Sequence, residues 1–95
     1  MAILMTADVP GQTEAGYRPM LIALEDALRS APGFVMHVAH PVEGGWRVIE
    51  VWQTKGDSDC FYAQHVAPSL PRGIRPKRHT QELASLVALL SEPPS

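Results

Sequence analysis

Two runs of strand-forming residues lie close together in this chain. They are Phe34–His40 (FVMHVAH) and Trp46–Trp52 (WRVIEVW), joined by Pro41-Val42-Glu43-Gly44-Gly45. A short loop with glycines between two such runs predicts an antiparallel hairpin. Neither run is polar on one side. Phe34, Met36 and Val38 alternate with Val35, His37 and Ala39, and Trp46, Val48, Glu50 and Trp52 alternate with Arg47, Ile49 and Val51. A sheet that is apolar on both faces has to be covered on both. A chain of 95 residues buries only roughly 60–65% of its unfolded surface, so the simplest second cover is another copy of the same sheet related by a two-fold axis.

The flanking segments complete a repeating order. Ala2–Asp8 is apolar, β-compatible and followed by the turn signal Pro10-Gly11. Thr13 is placed to cap a helix with Glu14 in its first turn, and Tyr17, Leu21, Leu24 and Leu28 follow at helical spacing. Pro19 falls inside that helix, which predicts a kink or a regular part that starts near Arg18. Ala31-Pro32-Gly33 stops it. Asp57 or Ser58 is expected to cap a second helix running to about Val66, with Phe61 and His65 four apart on one face. Lys77–Leu83 reads as a weaker last strand, Leu86–Leu90 as a strand extension or short helix, and residues 91–95 as a tail. Strand, helix, strand, strand, helix, strand is the ferredoxin-like α+β order, a four-stranded antiparallel sheet with two helices on one face. It occupies residues 1–90 as a single domain.

Composition narrows the partners. Eight basic against ten acidic residues give a net charge of −2, which offers no general attraction to nucleic acid. One cysteine, Cys60, excludes an internal disulfide. No run is long and apolar enough for a signal sequence or a membrane span, so a cytoplasmic protein without membrane attachment is expected. There is no phosphate-binding glycine loop, serine elbow or cysteine-pair metal site. His37 and His40, three apart on a strand, point to opposite faces and do not pair on a metal. No cofactor is expected.

Ala31-Pro32-Gly33-Phe34, His37, Gly44-Gly45-Trp46-Arg47-Val48-Ile49-Glu50-Val51-Trp52, Phe61 and His65-Val66-Ala67-Pro68 together resemble the dimeric α+β barrel superfamily. Within it they resemble the small proteins grouped with the antibiotic biosynthesis monooxygenases. The resemblance spans about residues 2–85. It implies a homodimer closed by sheet-to-sheet packing, with a ligand pocket in each subunit between sheet and helices. It further implies oxygenation of an aromatic polyketide-like substrate without metal, flavin or haem. Haem-degrading relatives use an asparagine on the first strand, and this chain contains no asparagine.

The residues suggest the chemistry of such a pocket. His65, one turn after Phe61, is expected to face the sheet, where a neutral imidazole removes a proton from a phenol or an activated carbon acid. Glu50 is a carboxylate in mid-strand that needs a partner. It would orient His65 or His37, serve as a base, or pair structurally with Arg47, Arg18 or a partner subunit. Trp52 would floor a flat aromatic ligand, and His37, Tyr17, Phe61 and Arg47 would complete the substrate site. Tyr62, one residue off the Phe61–His65 face, is expected to be exposed. Arg72, Arg75, Lys77, Arg78 and His79 form a basic run that would grip an anion or be a solvated loop. The expected function is a cofactor-independent monooxygenase, isomerase or cyclase. The alternative is a non-catalytic small-molecule binder or dimerisation module.

Overall fold

The structure is a computed structural model and describes residues 1–87. The elements run β1 (Ile3–Pro10), α1 (Glu14–Ser30), β2 (Phe34–Val42), β3 (Gly45–Trp52), α2 (Lys55–Phe61) and β4 (Lys77–Glu82). A π-helical turn, Tyr62–Val66, and a 3-10 turn, Ala67–Ser69, follow α2. The strands form one sheet in the order β2-β3-β1-β4, with every neighbouring pair antiparallel. This is the ferredoxin-like fold expected from the order of elements. The part of the Leu86–Leu90 segment beyond residue 87, and the tail at 91–95, lie outside the described residues.

Local chemistry sets the joints. Thr13 Oγ1 accepts from Gly16 N at 3.1 Å, which caps α1 as expected. Helix α1 runs unbroken through Pro19 from Glu14 to Ser30. The bond that Pro19 cannot make would end on the carbonyl of Ala15, an exposed residue of the first turn where water can replace it. Helix α2 begins earlier than Asp57 or Ser58, because Thr54 is its cap and accepts from Asp57 N at 3.0 Å. The hairpin closes on Glu43-Gly44, with Gly44 at φ 74°. A Cβ on Gly45 would stand 2.5 Å from the Val9 carbonyl oxygen, so only glycine allows β3 to start that close to β1. Pro41 lies within β2, which is an edge strand and tolerates it.

The core lies between the sheet and the helices. Ile3, Met5 and Ala7 of β1, Trp52, Leu28 of α1 and Phe61 of α2 are buried together. Trp52 is fully buried, with Phe34 edge-on at 5.5 Å and Phe61 at 5.6 Å between ring centroids. Phe34 reaches this side because the β2 register shifts between Phe34 and Met36, so the two do not share a face as simple alternation predicts. The other sheet face carries Leu4, Met36, Val38 and Ile49, and a salt bridge from Arg47 Nε to Asp8 Oδ1 at 2.6 Å. Met36 and Val38 are exposed.

Candidate active site

A cavity of about 100 Å³ lies between the sheet and the two helices. The β-sheet period determines which strand residues reach it: Met5, Ala7 and Val9 of β1 and Trp46, Val48 and Glu50 of β3 are alternate residues on the helix-facing side. Helix α1 closes the opposite wall with Tyr17, Leu21, Leu24 and Leu28. At about 10–15 Å³ per water of this kind of volume, the space holds a handful of waters. That suits a ligand of one or two fused rings.

One wall is a connected polar network. The register pairs His37 on β2 with Glu50 on β3. Their side chains, 14% and 10% exposed, meet at 2.7 Å between Nδ1 and Oε2. The other carboxylate oxygen, Oε1, accepts from Trp52 Nε1 at 2.8 Å. A carboxylate only accepts, so His37 Nδ1 carries the proton and Nε2 is left as the acceptor of the neutral ring. Tyr17 Oη donates to Nε2 at 2.5 Å, with the two ring planes nearly parallel at 7°. Burial, and then the negative charge of Glu50, raise the Tyr17 hydroxyl above its usual 10.0. Tyr17 therefore stays protonated and donates at neutral pH. Trp46 packs on the same phenol, 5.2 Å between centroids.

The opposite wall is cationic. Arg78 on β4 pairs with Ala7 of β1 and turns its side chain under α2. Its Nη2 donates to Ser58 Oγ at 2.9 Å and lies 3.2 Å from Asp59 Oδ1, while the guanidinium carbon sits 4.4 Å from the Tyr62 ring centroid. The Lys55 ammonium first, and Arg78 with it, hold the Asp59 carboxyl below its ordinary value.

Of the seven residues expected at the site, four line the cavity and three stand elsewhere for reasons of geometry that the sequence did not show. Glu50, His37, Tyr17 and Phe61 line it. His65 does not. Beyond Phe61 the helix widens into the π turn, and His65 packs on the far side of Phe61, 4.9 Å between centroids, lining an outer cleft with Ala27, Pro32 and Cys60. The α-helical spacing that aimed His65 at the sheet does not hold there. Trp52 is core and does not reach the cavity; Trp46, at the other end of the same strand face, is the tryptophan that does. Arg47 lies on the opposite sheet face, bonded to Asp8. Tyr62, expected to be exposed, is partly buried and lines the cavity. The basic run divides: Arg78 turns inward while Lys77 and His79 are exposed. Arg78 and Ser58 were missed as site residues, and strand alternation on β4 was the signal for Arg78.

This sheet order, with two helices over one face and a cavity beneath them, is a ferredoxin-like α+β fold found in other solved structures. Solved structures that share it include three oxygenase-type or haem-degrading proteins. SnoaB, a cofactor-independent oxygenase from Streptomyces nogalater (an N63A mutant), superposes with a TM-score of 0.65 at 15% identity, over 90% of this chain and 95% of its own. A protein from Deinococcus radiodurans, provisionally an antibiotic biosynthesis monooxygenase, gives 0.64 at 15% identity, over 95% and 99%. The haem degrader MhuD from Mycobacterium tuberculosis, with two haems bound in its active site, gives 0.56 at 17% identity, over 93% and 100%. No protein-family profile and no curated protein sequence matches the chain. A haem does not fit the cavity described above: a tetrapyrrole macrocycle is far larger than a space that holds a handful of waters, and both ring nitrogens of its histidine, His37, are already bonded. Among the described residues no group of three His, Cys, Asp or Glu side chains could hold a metal ion, and no helix is long and apolar enough to cross a membrane.

Proposed function

We propose that the chain is a small-molecule monooxygenase that starts its reaction by removing a proton in this cavity, with His37 as the base. The observation that carries this is the Tyr17–His37–Glu50 line, with one end at the cavity and the other anchored on Trp52. Glu50 fixes the His37 tautomer and stabilises the imidazolium that forms. Tyr17 relays. As a substrate hydroxyl or acidified C–H gives its proton to Tyr17 Oη, Tyr17 passes its own to His37 Nε2. The carbanion of an aromatic ketone with an acidic methylene then takes up dioxygen, and the peroxide loses water: CH₂ and O₂ become C=O and H₂O. The apolar walls keep bulk water from the intermediate. The likeness to SnoaB supports this reading, as does the cavity's size, which favours tetralone-sized substrates over larger ones. The open sheet face would be covered by a second copy in a homodimer.

The test is oxygen uptake with hydroxylated tetralones and anthrones. His37→Gln should lower kcat by about 10²–10⁴-fold, whereas His65→Ala should leave it within about twofold. Equal activity of wild type and His37→Gln would overturn the assignment of the base. Binding without uptake by any protein would instead favour a non-catalytic binder.

A further inference from the structure

Two buried donors have no partner: Trp46 Nε1 and Arg78 Nε. A buried N–H without an acceptor is costly and uncommon in a folded protein. Both side chains line the same cavity, and the Tyr17–His37–Glu50 network is satisfied internally. The register sets them apart. Trp46 pairs with Val9 on one side of β1, and Arg78 with Ala7 on its other side. Their strands therefore stand two inter-strand spacings apart, about 10 Å. Their surroundings differ in charge. Arg78 is the one Lys or Arg side chain that lines the cavity among the described residues. Trp46 packs on the ring of Tyr17, an uncharged phenol.

We propose that Trp46 Nε1 and Arg78 Nε are the two recognition donors of the cavity, and that its ligand is a flat two-ring aromatic with oxygen acceptors at opposite ends. The acceptor at Arg78 is anionic, a carboxylate or acidic enolate. The acceptor at Trp46 is a neutral hydroxyl or ketone. This deepens the reading of the cavity as a substrate site and rests on it. It also sets the direction of binding: a guanidinium draws the anion to one end, and the uncharged Trp46–Tyr17 pair takes the neutral oxygen at the other. The neutral oxygen is then delivered beside Tyr17 and His37, where the proton is to be removed.

Calorimetric titration of the full chain with 6-hydroxy-2-naphthoate, 2-naphthoate and 2-naphthol tests this without requiring turnover. The two-ended compound should bind wild type about tenfold or more tighter than either single-ended one. Trp46→Phe keeps the ring and removes the donor. It should weaken 6-hydroxy-2-naphthoate about three- to tenfold and leave 2-naphthoate unchanged. Arg78→Lys should weaken both naphthoates about ten- to a hundredfold and spare 2-naphthol. Equal affinity of the three compounds for wild type, no binding at millimolar concentration, or a uniform loss across all three in both variants would overturn the proposal. If Arg78→Lys does not fold, the wild-type comparison and Trp46→Phe still decide. Selective binding with no oxygen uptake would sink the oxygenase reading and leave this inference standing. Uptake by wild type with unselective binding would do the reverse.

Discussion

Glu50 is a buried carboxylate whose two oxygens are each claimed by a side chain. Its removal leaves the Trp52 N–H and the His37 Nδ1–H without an acceptor. Glu50→Ala should therefore lower stability by about 1–3 kcal/mol for each orphaned donor, measured by urea denaturation. Glu50→Gln keeps an acceptor for one donor only and should fall between this and wild type. Tyr17 gives a pH signature. Its hydroxyl is raised in the folded state, so the stability linked to its protonated form is full below 10.0 and is lost as pH rises through the folded value. The difference between the phenolate absorbance titrations of wild type and Tyr17→Phe isolates this group. Its midpoint should lie above 10.0; a midpoint at or below that value would mean that Tyr17 is not held in the buried network.

The joints between elements carry separate costs. Thr54 supplies the only side-chain cap seen on α2, and α2 holds Ser58 and Phe61 against the cavity. Thr54→Ala should cost about 1 kcal/mol and loosen the wall on which Arg78 rests. Gly45 is stricter, because a methyl group there meets the backbone of β1 rather than a movable side chain. Gly45→Ala should destabilise by about 1–3 kcal/mol and shift Trp46, the next residue. Thermal unfolding compared with ligand titration separates the two effects: a change in melting temperature with selectivity intact would show that the start of β3 does not position Trp46.

For the whole molecule, the sheet face away from the helices is the open question. Its apolar residues Leu4, Met36, Val38 and Ile49 are flanked by the Arg47–Asp8 pair and by His40. A homodimer over this face predicts twice the chain mass in light scattering. Val38→Glu, placed on an exposed position of that face, should give monomers with the far-ultraviolet spectrum of the folded chain. A wild-type monomer at micromolar concentration would remove the dimer from the account.

The order of elements, the hairpin and the cap at Thr13 were legible in the sequence, as was a grouping of Glu50, His37 and Tyr17, which line the cavity. They depend on local propensity and on a strand period that alternates reliably. What the sequence could not show was decided by register and by helix geometry. A shift between Phe34 and Met36 moved Phe34 to the core side, and a π turn carried His65 behind Phe61. The pairing of β2 with β3 chose His37 rather than His65 as the partner of Glu50. Arg78 looked like one charge in a basic run until β4 paired with β1 and turned it under α2. Propensity and period act over a few neighbouring residues, whereas these contacts join positions 13 to 20 residues apart in the chain. Only the packed sheet and helices bring such positions together.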